Sequence, residues 1–266
     1  MTTFEWNSAS EWDNAITETG VVHESVANTD YSDASLLKKG YSTEKLPHSA
    51  SLWCYYPMHE DNASTINDLS GNGRNPAVTG VTGGHSGPLG TTAVQFDGVD
   101  DWVELPNTPA PSAYTMNIWA YPYVGPSSTS VGRLVDFRAN HVGGINYGSG
   151  NGLRFWHRDG GGTNRDLYTK DWSANTWQMF TLTWDGSTVT GYIDGTQINS
   201  VAATGTTSQS YDDTFGSFNR GNRHFYEGRL WNIAYWDGYA FSSSEVSEYY
   251  DVVAGMSSLT TSKRLS

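Results

Sequence analysis

From residue 51 to residue 241 the apolar positions fall in short runs, and many alternate with polar ones, the period of a half-buried strand. The candidate strands are SLWCYYPM (51–58), TAVQFDGV (92–99), DWVELP (101–106), YTMNIWAYP (114–122), GRLVDFR (132–138), GLRFWHRD (152–159), WQMFTLTW (177–184), TVTGYID (188–194), TQINSVA (196–202), SFNRG (217–221) and GRLWNIAYW (228–236). Met179, Leu182 and Trp184 break strict alternation, which predicts a bulge or burial on both faces there. Asp185-Gly186 and Asp194-Gly195 are tight-turn dipeptides, because Gly takes positive φ at little cost, so residues 177–202 are expected to form a meander. The period becomes helical only in SSSEVSEYYDVV (242–253). There Ser242 and Glu245 fit a capping box, and Val246, Tyr249, Tyr250 and Val253 make one stripe.

Residues 1–50 have a different texture, polar and weakly periodic. They hold a near-duplicate, Glu5-Trp6-Asn7-Ser8-Ala9 and Glu11-Trp12-Asp13-Asn14-Ala15. Ser8 with Glu11 fits a capping box and predicts a short helix over about residues 9–16. Trp6, Trp12, Ile16, Val21 and Val22 give this stretch something to bury, yet too little to fold alone. The expected organisation is an arm (1–50) that docks into an assembly, a β-sandwich (51–255) and a polar tail (256–266). Many short strands with turn signals and a helix only at the end indicate a sandwich or barrel.

Composition agrees with strands and turns: aromatics are 14% and Gly numbers 29 in 266 residues. The net charge of −13, with only 5 Lys among 15 basic residues, argues against nucleic acid, which needs a basic face, and against anionic membranes. Solubility alone accounts for such a surface, and so does adaptation to high salt; both readings stay open. The single Cys54 excludes an intrachain disulfide and sits in an apolar run, as a small buried hydrophobe does. No run of apolar residues is long enough for a transmembrane helix, and MTTFEWNSASEWDN is polar and acidic, unlike a signal peptide.

The order of motifs resembles the laminin-G / concanavalin-A-like lectin and glucanase superfamily. The matching elements are Trp53, Glu60, Asp68-Leu69-Ser70-Gly71-Asn72, and Phe96-Asp97-Gly98-Val99-Asp100-Asp101-Trp102-Val103. YTMNIWAYP with Trp119, WQMFTLTWDGSTVTGYIDGTQI, and GRLWNIAYWDGYAFSSSEVSEYY follow in family order, over about residues 51–251. The resemblance implies an all-β, two-sheet antiparallel jelly-roll sandwich. It says little about function, since this fold serves lectins, adhesion modules, hydrolases and viral proteins. An N-terminal arm fused to an acidic sandwich is similar, more loosely, to haloarchaeal tailed-virus proteins. That likeness implies a virion or extracellular-surface subunit, a homo-oligomer with other assembly proteins as partners.

The residues bear on three kinds of chemistry. Asp68, Asn72, Asp97, Asp100 and Asp101 offer hard oxygen donors in two short loops, suited to Ca²⁺, which the resemblance also favours; turn capping by Asp and Asn is the alternative. Tyr147, Trp156, His157 and Trp172, with Arg158 and Asn164, cluster around Gly-rich stretches in 140–172 and can line a glycan-binding rim. Against this, most Trp residues of a sandwich are core, Trp119, Trp184 and Trp231 among them. Hydrolysis finds no support: the Glu-x-Asp-x-x-Glu strand of laminarinase-like glucanases is missing, and His59-Glu60-Asp61 has no partner in the sequence. The expected function is therefore non-enzymatic: a virion turret, decoration or fibre subunit displaying its sandwich outward, or a secreted carbohydrate-binding or adhesion module.

Overall fold

The computed structural model describes residues 46–140, 143–148 and 150–263, with side chains left undescribed at Leu89 and from Gly255 onward. The expected helix over 9–16 and the arm residues Trp6, Trp12, Ile16 and Val21 lie outside the described residues.

Among the described residues fifteen strands and one α-helix follow in chain order: β1 (Leu52–Tyr56), β2 (Ala77–Thr79), β3 (Thr82–Ser86), β4 (Thr92–Asp97), β5 (Trp102–Glu104), β6 (Tyr114–Pro122), β7 (Gly132–Phe137), β8 (Gly143–Tyr147), β9 (Leu153–Arg158), β10 (Asn164–Thr169), β11 (Gln178–Trp184), β12 (Thr188–Ile193), β13 (Thr196–Ala202), β14 (Thr214–Phe215), β15 (Glu227–Asp237) and α1 (Ser243–Lys263). The first sheet runs β13-β12-β11-β6-β15-β4-β3, with β1 also on β15; the second runs β10-β9-β8-β7-β14-β5-β2. All pairings are antiparallel, and the two sheets pack as the expected jelly-roll sandwich.

The broken alternation has a physical cause, because the first sheet is covered on both sides. Along β11, Phe180, Leu182 and Trp184 face the core between the sheets, while Met179 faces a second apolar layer outside. Along β6, Met116 and Ile118 point inward and Trp119 outward. The bulge lies instead in β15, between Trp231 and Ala234. It puts Asn232 at φ 49 and switches the inward set from Leu230 to Ile233 and Tyr235.

The outer layer is closed by α1 and by the root of the arm. Val246, Tyr249 and Val253 pack with Leu46, Leu52, Trp119, Trp231, Trp236 and Phe241. The capping box forms: Glu245 N–H donates to Ser242 Oγ at 3.3 Å, and Ser242 N–H to Glu245 Oε2 at 2.7 Å. Trp236 Nε1–H donates to the Pro47 carbonyl at 2.7 Å, and the His48 ring stacks on Tyr239 at 3.8 Å. Residues 46–50 thus pack on this chain's own first sheet. The helix continues through Lys263, well past the predicted 253.

The meander forms as expected over β11, β12 and β13. Asp194 and Gly195 take φ 48 and 75, the two left-handed positions of a hairpin turn. Two expectations fail. SFNRG is a turn closed by the Phe218–Arg223 bridge, with Asn219 and Arg220 at positive φ. The Gly-rich stretch 143–152, absent from the candidate strands, contains β8, and the stretch 159–163 is followed by another unexpected strand, β10. Gly144 is needed inside β8 because a Cβ there would lie 2.3 Å from the Val135 carbonyl and 3.2 Å from Trp156 Nε1. Cys54 is fully buried between the sheets. No helix among the described residues is long and apolar enough to cross a membrane.

Candidate functional site

Among the described residues no layer like α1 covers the outer face of the second sheet, and strand register fixes which side chains it carries. Arg154 faces Tyr168 and Trp156 faces Asp166 across β9–β10. Asn146 pairs with Arg154 and Gly144 with Trp156 across β8–β9. Arg133 and Asp136 follow on β7, and Thr214 and Glu104 on β14 and β5. Directly paired residues share a face, so one surface collects Arg154, Trp156, Arg158, Asp166, Tyr168, Asn146, Arg133 and Asp136.

Arginines dominate that surface. The guanidinium carbons of Arg138, Arg154 and Arg133 lie 4.7, 4.9 and 5.7 Å from the Trp156 ring centre. Those of Arg138, Arg223 and Arg133 lie 4.8, 4.9 and 5.9 Å from the Phe218 ring centre. Asp136, fully buried, braces the group: its Oδ2 accepts from Arg138 Nε at 2.9 Å and its Oδ1 lies 3.6 Å from Arg133. Burial raises the Asp136 carboxyl, and the two arginines pull it back. Asp213 supports the same region from below, accepting Thr108 N–H and Oγ1–H on Oδ2 and the Arg138 and Ala139 amides on Oδ1. Two exposed aromatics flank the group, Tyr168 (46%) on β10 and Tyr211 (41%), whose ring meets Phe218 at 5.3 Å.

The residues predicted for a glycan rim divide between the two faces of this sheet. Tyr147, His157 and Trp172 are corrected to interior positions. Tyr147 and Trp172 stack on each other at 5.7 Å within the core. His157 is fully buried, stacked 4.6 Å from Trp184. Trp156 does lie on the outer face with Arg158 and Asn164, but its indole is 1% exposed because the arginines cover it. Sequence reasoning missed Arg133, Arg138, Asp136, Arg154, Tyr168, Tyr211 and Arg223. One signal was available: Arg154-x-Trp156-x-Arg158 places two arginines and an indole on one strand face.

A family model described as the concanavalin A-like lectin/glucanases superfamily (Laminin G 3) matches residues 97–247, more than half of the chain. The chain belongs to this superfamily. Among curated proteins no sequence match is found. Solved structures with a similar fold include the binding domain of Paraclostridial Mosquitocidal Protein 1 (20% identity, TM-score 0.64, covering 77% of this chain and 53% of that one). Another is Domain 4 of AbnA, a GH43 extracellular arabinanase from Geobacillus stearothermophilus, in complex with arabinotriose (18%, 0.56, 74% and 97%). A third is the binding domain of Botulinum Neurotoxin DC in complex with SialylT (14%, 0.58, 76% and 51%). The superfamily chain described here spans about half the length of the two toxin binding domains.

Concanavalin A-like domains of the laminin-G type suggested Ca²⁺, and the structure separates the predicted donors into two groups. Asp68 and Asn72 form a knot against β1. Asp68 Oδ1 accepts the Tyr55 and Ser70 amides, and its Oδ2 accepts Ser70 Oγ–H and the Arg74 amide. Asn72 Nδ2–H donates to the Leu52 carbonyl at 2.9 Å. β1 lies beside the Ile233–Trp236 end of β15, whereas Asp97 pairs with Glu227 at its other end. At ~3.3 Å per residue the two groups stand roughly 20 Å or more apart, so one ion cannot use both. Asp97, Asp100 and Asp101 remain together, with carboxylate oxygens within 4.8 Å of one another. None of the ion pairs among the described residues involves them. Burial, with Asp97 and Asp100 beside it, pushes the Asp101 carboxyl up to about 6, partly offset by the Asp97 amide on its Oδ2. Asp97 Oδ1 also caps its own turn, accepting the Val99 and Asp100 amides at 2.8 and 3.4 Å.

Proposed function

We propose that this chain is a non-catalytic carbohydrate-binding or adhesion module whose binding surface is the outer face of the second sheet. The observation that carries this reading is the asymmetry of the sandwich. One outer face is sealed by α1 and an apolar layer, and the other carries a polar and aromatic platform with exposed Tyr168 and Tyr211. Sugar recognition uses such aromatic surfaces together with charged and amide side chains. Similar folds in complexes with arabinotriose and with SialylT support the ligand class.

Carboxylate geometry supports the absence of catalysis. Glycoside hydrolysis needs two available carboxyl groups about 5–10 Å apart. On this face Asp136 is held by Arg138, and both Asp213 oxygens are filled by hydrogen bonds. Glu60, raised by burial, accepts the Asn67 amide on a distant loop.

Two further elements belong to the reading. Asp97, Asp100 and Asp101 would hold Ca²⁺, which would neutralise their charge and stiffen that loop. The finer form of the function is a virion or other extracellular-surface subunit, assembled with itself and partner proteins through the arm. Leu46 and Pro47 pack on the face opposite the platform. A glycan array probed with the full chain, with Ca²⁺ and with chelator, tests the core proposal. Binding of at least one glycan, weakened in Tyr168→Ala, is expected; an array with no signal in either condition overturns it. Light scattering of the full chain against a Trp6→Ala/Trp12→Ala variant tests assembly, with a smaller particle expected for the variant.

A further inference from the structure

We infer that the platform selects anionic saccharides, those bearing carboxylate or sulfate, over neutral ones. This inference rests on the proposed binding function and specifies its ligand. The chain is acidic as a whole, with net charge −13 and ten arginines. Five of those arginines, Arg133, Arg138, Arg154, Arg158 and Arg223, gather around Trp156 and Phe218 or stand beside them on β9. Opposing them are Asp136, Asp166 on Arg154 at 2.6 Å, and buried Asp213. Arg220 is occupied by Glu104 and Asp212, and Arg165 by Asp159. The face therefore carries a cationic surplus inside an anionic molecule.

Hydrogen-bond supply shows the same imbalance independently. Among the described residues Arg133 Nε, Arg154 Nε, Arg158 Nε and Trp156 Nε1 are buried N–H donors with no hydrogen-bond partner, against one such carboxylate acceptor in the group, Asp136 Oδ1. Arg133 and Trp156 are both more than nine-tenths buried. Buried donors are nearly always paired, so a cluster of unpaired ones marks a place built for an acceptor the chain does not supply. Arginine and indole donate only, and a carboxylate or sulfate accepts only. The guanidinium fork matches such oxyanions through two parallel bonds. Mutual repulsion bears this out: burial lowers Arg133, Asp136 opposes that, and Arg138, Arg154 and Arg223 lower it further. Burial and the charges of Arg133, Arg223 and Arg138 likewise lower the His224 pKa. Tyr168 and Tyr211 then offer ring faces to the sugar beside its charged group.

Calorimetric titration of the full chain with 3′-sialyllactose, a heparin-derived tetrasaccharide and lactose tests this. At low salt at least one anionic saccharide is expected to bind tenfold or more tightly than lactose, and to weaken at high salt. Arg223 is exposed, so Arg223→Gln should keep the melting temperature and weaken the anionic ligand about fivefold or more. Binding of the sialoside alone assigns a carboxylate ligand, and of the heparin fragment alone a sulfate ligand. Equal affinity for lactose and both anions, with Arg223→Gln unchanged and Tyr168→Ala impaired, overturns the anionic selection and leaves the binding module standing. No heat with any of the three, and none on a glycan array, overturns both.

Discussion

The two outer faces of this sandwich are made from the same kind of strand and end in opposite states. On the first sheet, outward residues such as Trp119, Trp231 and Trp236 are large and apolar, and a helix covers them. On the second, the outward residues are Arg133, Asp136, Arg154 and Trp156, and arginine side chains take the place of a helix. Burial stabilises the first face without direction, through area. The second is held by directional contacts among charges that its own partners only partly satisfy. One face is therefore closed by apolar packing, and the other is the face proposed above to bind a ligand.

The largest expected effect comes from opening the sealed face. Trp236 is fully buried, meets Phe241 at 4.6 Å and donates to Pro47. Trp236→Ala should cost about 3–5 kcal/mol, the range for a large aromatic removed from a core. Urea unfolding measures it, with glycan binding retained wherever the protein stays folded. A loss below about 1 kcal/mol would mean the outer layer is not a true core.

Next in size is the brace of the open face. Asp136→Asn keeps the shape but removes the charge opposing Arg133 and Arg138. Removing one partner of a buried ion pair costs about 3 kcal/mol or more. The same unfolding measurement checks it. A neutral result would show that solvent already screens these arginines.

The contrast also explains what could be read from the chain. The meander was legible because its turns are local: Asp185-Gly186 and Asp194-Gly195 announce themselves within two residues. Alternation failed along β6, β11 and β15 because both sides of those strands are buried, which a period of two cannot express. β8 was hidden because Gly143 and Gly144 resemble a loop, when Gly144 clears space for Trp156. The platform was hidden for a different reason. Arg133, Arg138, Arg154 and Arg223 are far apart in sequence and meet only through strand order. The same long-range register parted Asp68 and Asn72 from Asp97, Asp100 and Asp101.

A pH test separates the interior of the second sheet from its surface. His157 Nε2 lies 2.9 Å from the Gly205 carbonyl, which only accepts, so Nε2 carries the proton and Nδ1 accepts from Tyr114 O–H at 3.1 Å. Burial lowers the His157 pKa below its usual value, against the raising effects of the Gly205 carbonyl and Asp159. Below the unfolded value near 6.5 the unfolded chain then binds more protons than the native one, so stability falls as pH falls. The contribution is fully present at pH 7 and above, and its loss is limited to about 1.4 kcal/mol per pH unit for one proton. His157→Gln should be less stable at pH 7 and show a shallower decline between pH 7 and pH 5 in thermal melts. Parallel declines would assign the acid sensitivity to other groups.

The smallest effect on stability should carry the largest effect on binding. Tyr168 is 46% exposed, and its hydroxyl donates to Asp166 Oδ2 at a long 3.2 Å. Little is buried by its ring, so Tyr168→Ala should change unfolding free energy by no more than about 0.5 kcal/mol. Yet Tyr168 lies directly across β9–β10 from Arg154, so a sugar ring resting on it would bring its substituents to the arginines. Removal of one exposed stacking aromatic from such a platform should weaken a bound saccharide by about tenfold, on the order of 1.4 kcal/mol. Titration of wild type and variant with the same oligosaccharide reads this directly. An unchanged affinity would move the binding surface off the second sheet and leave the arginine cluster as a purely internal arrangement of charge.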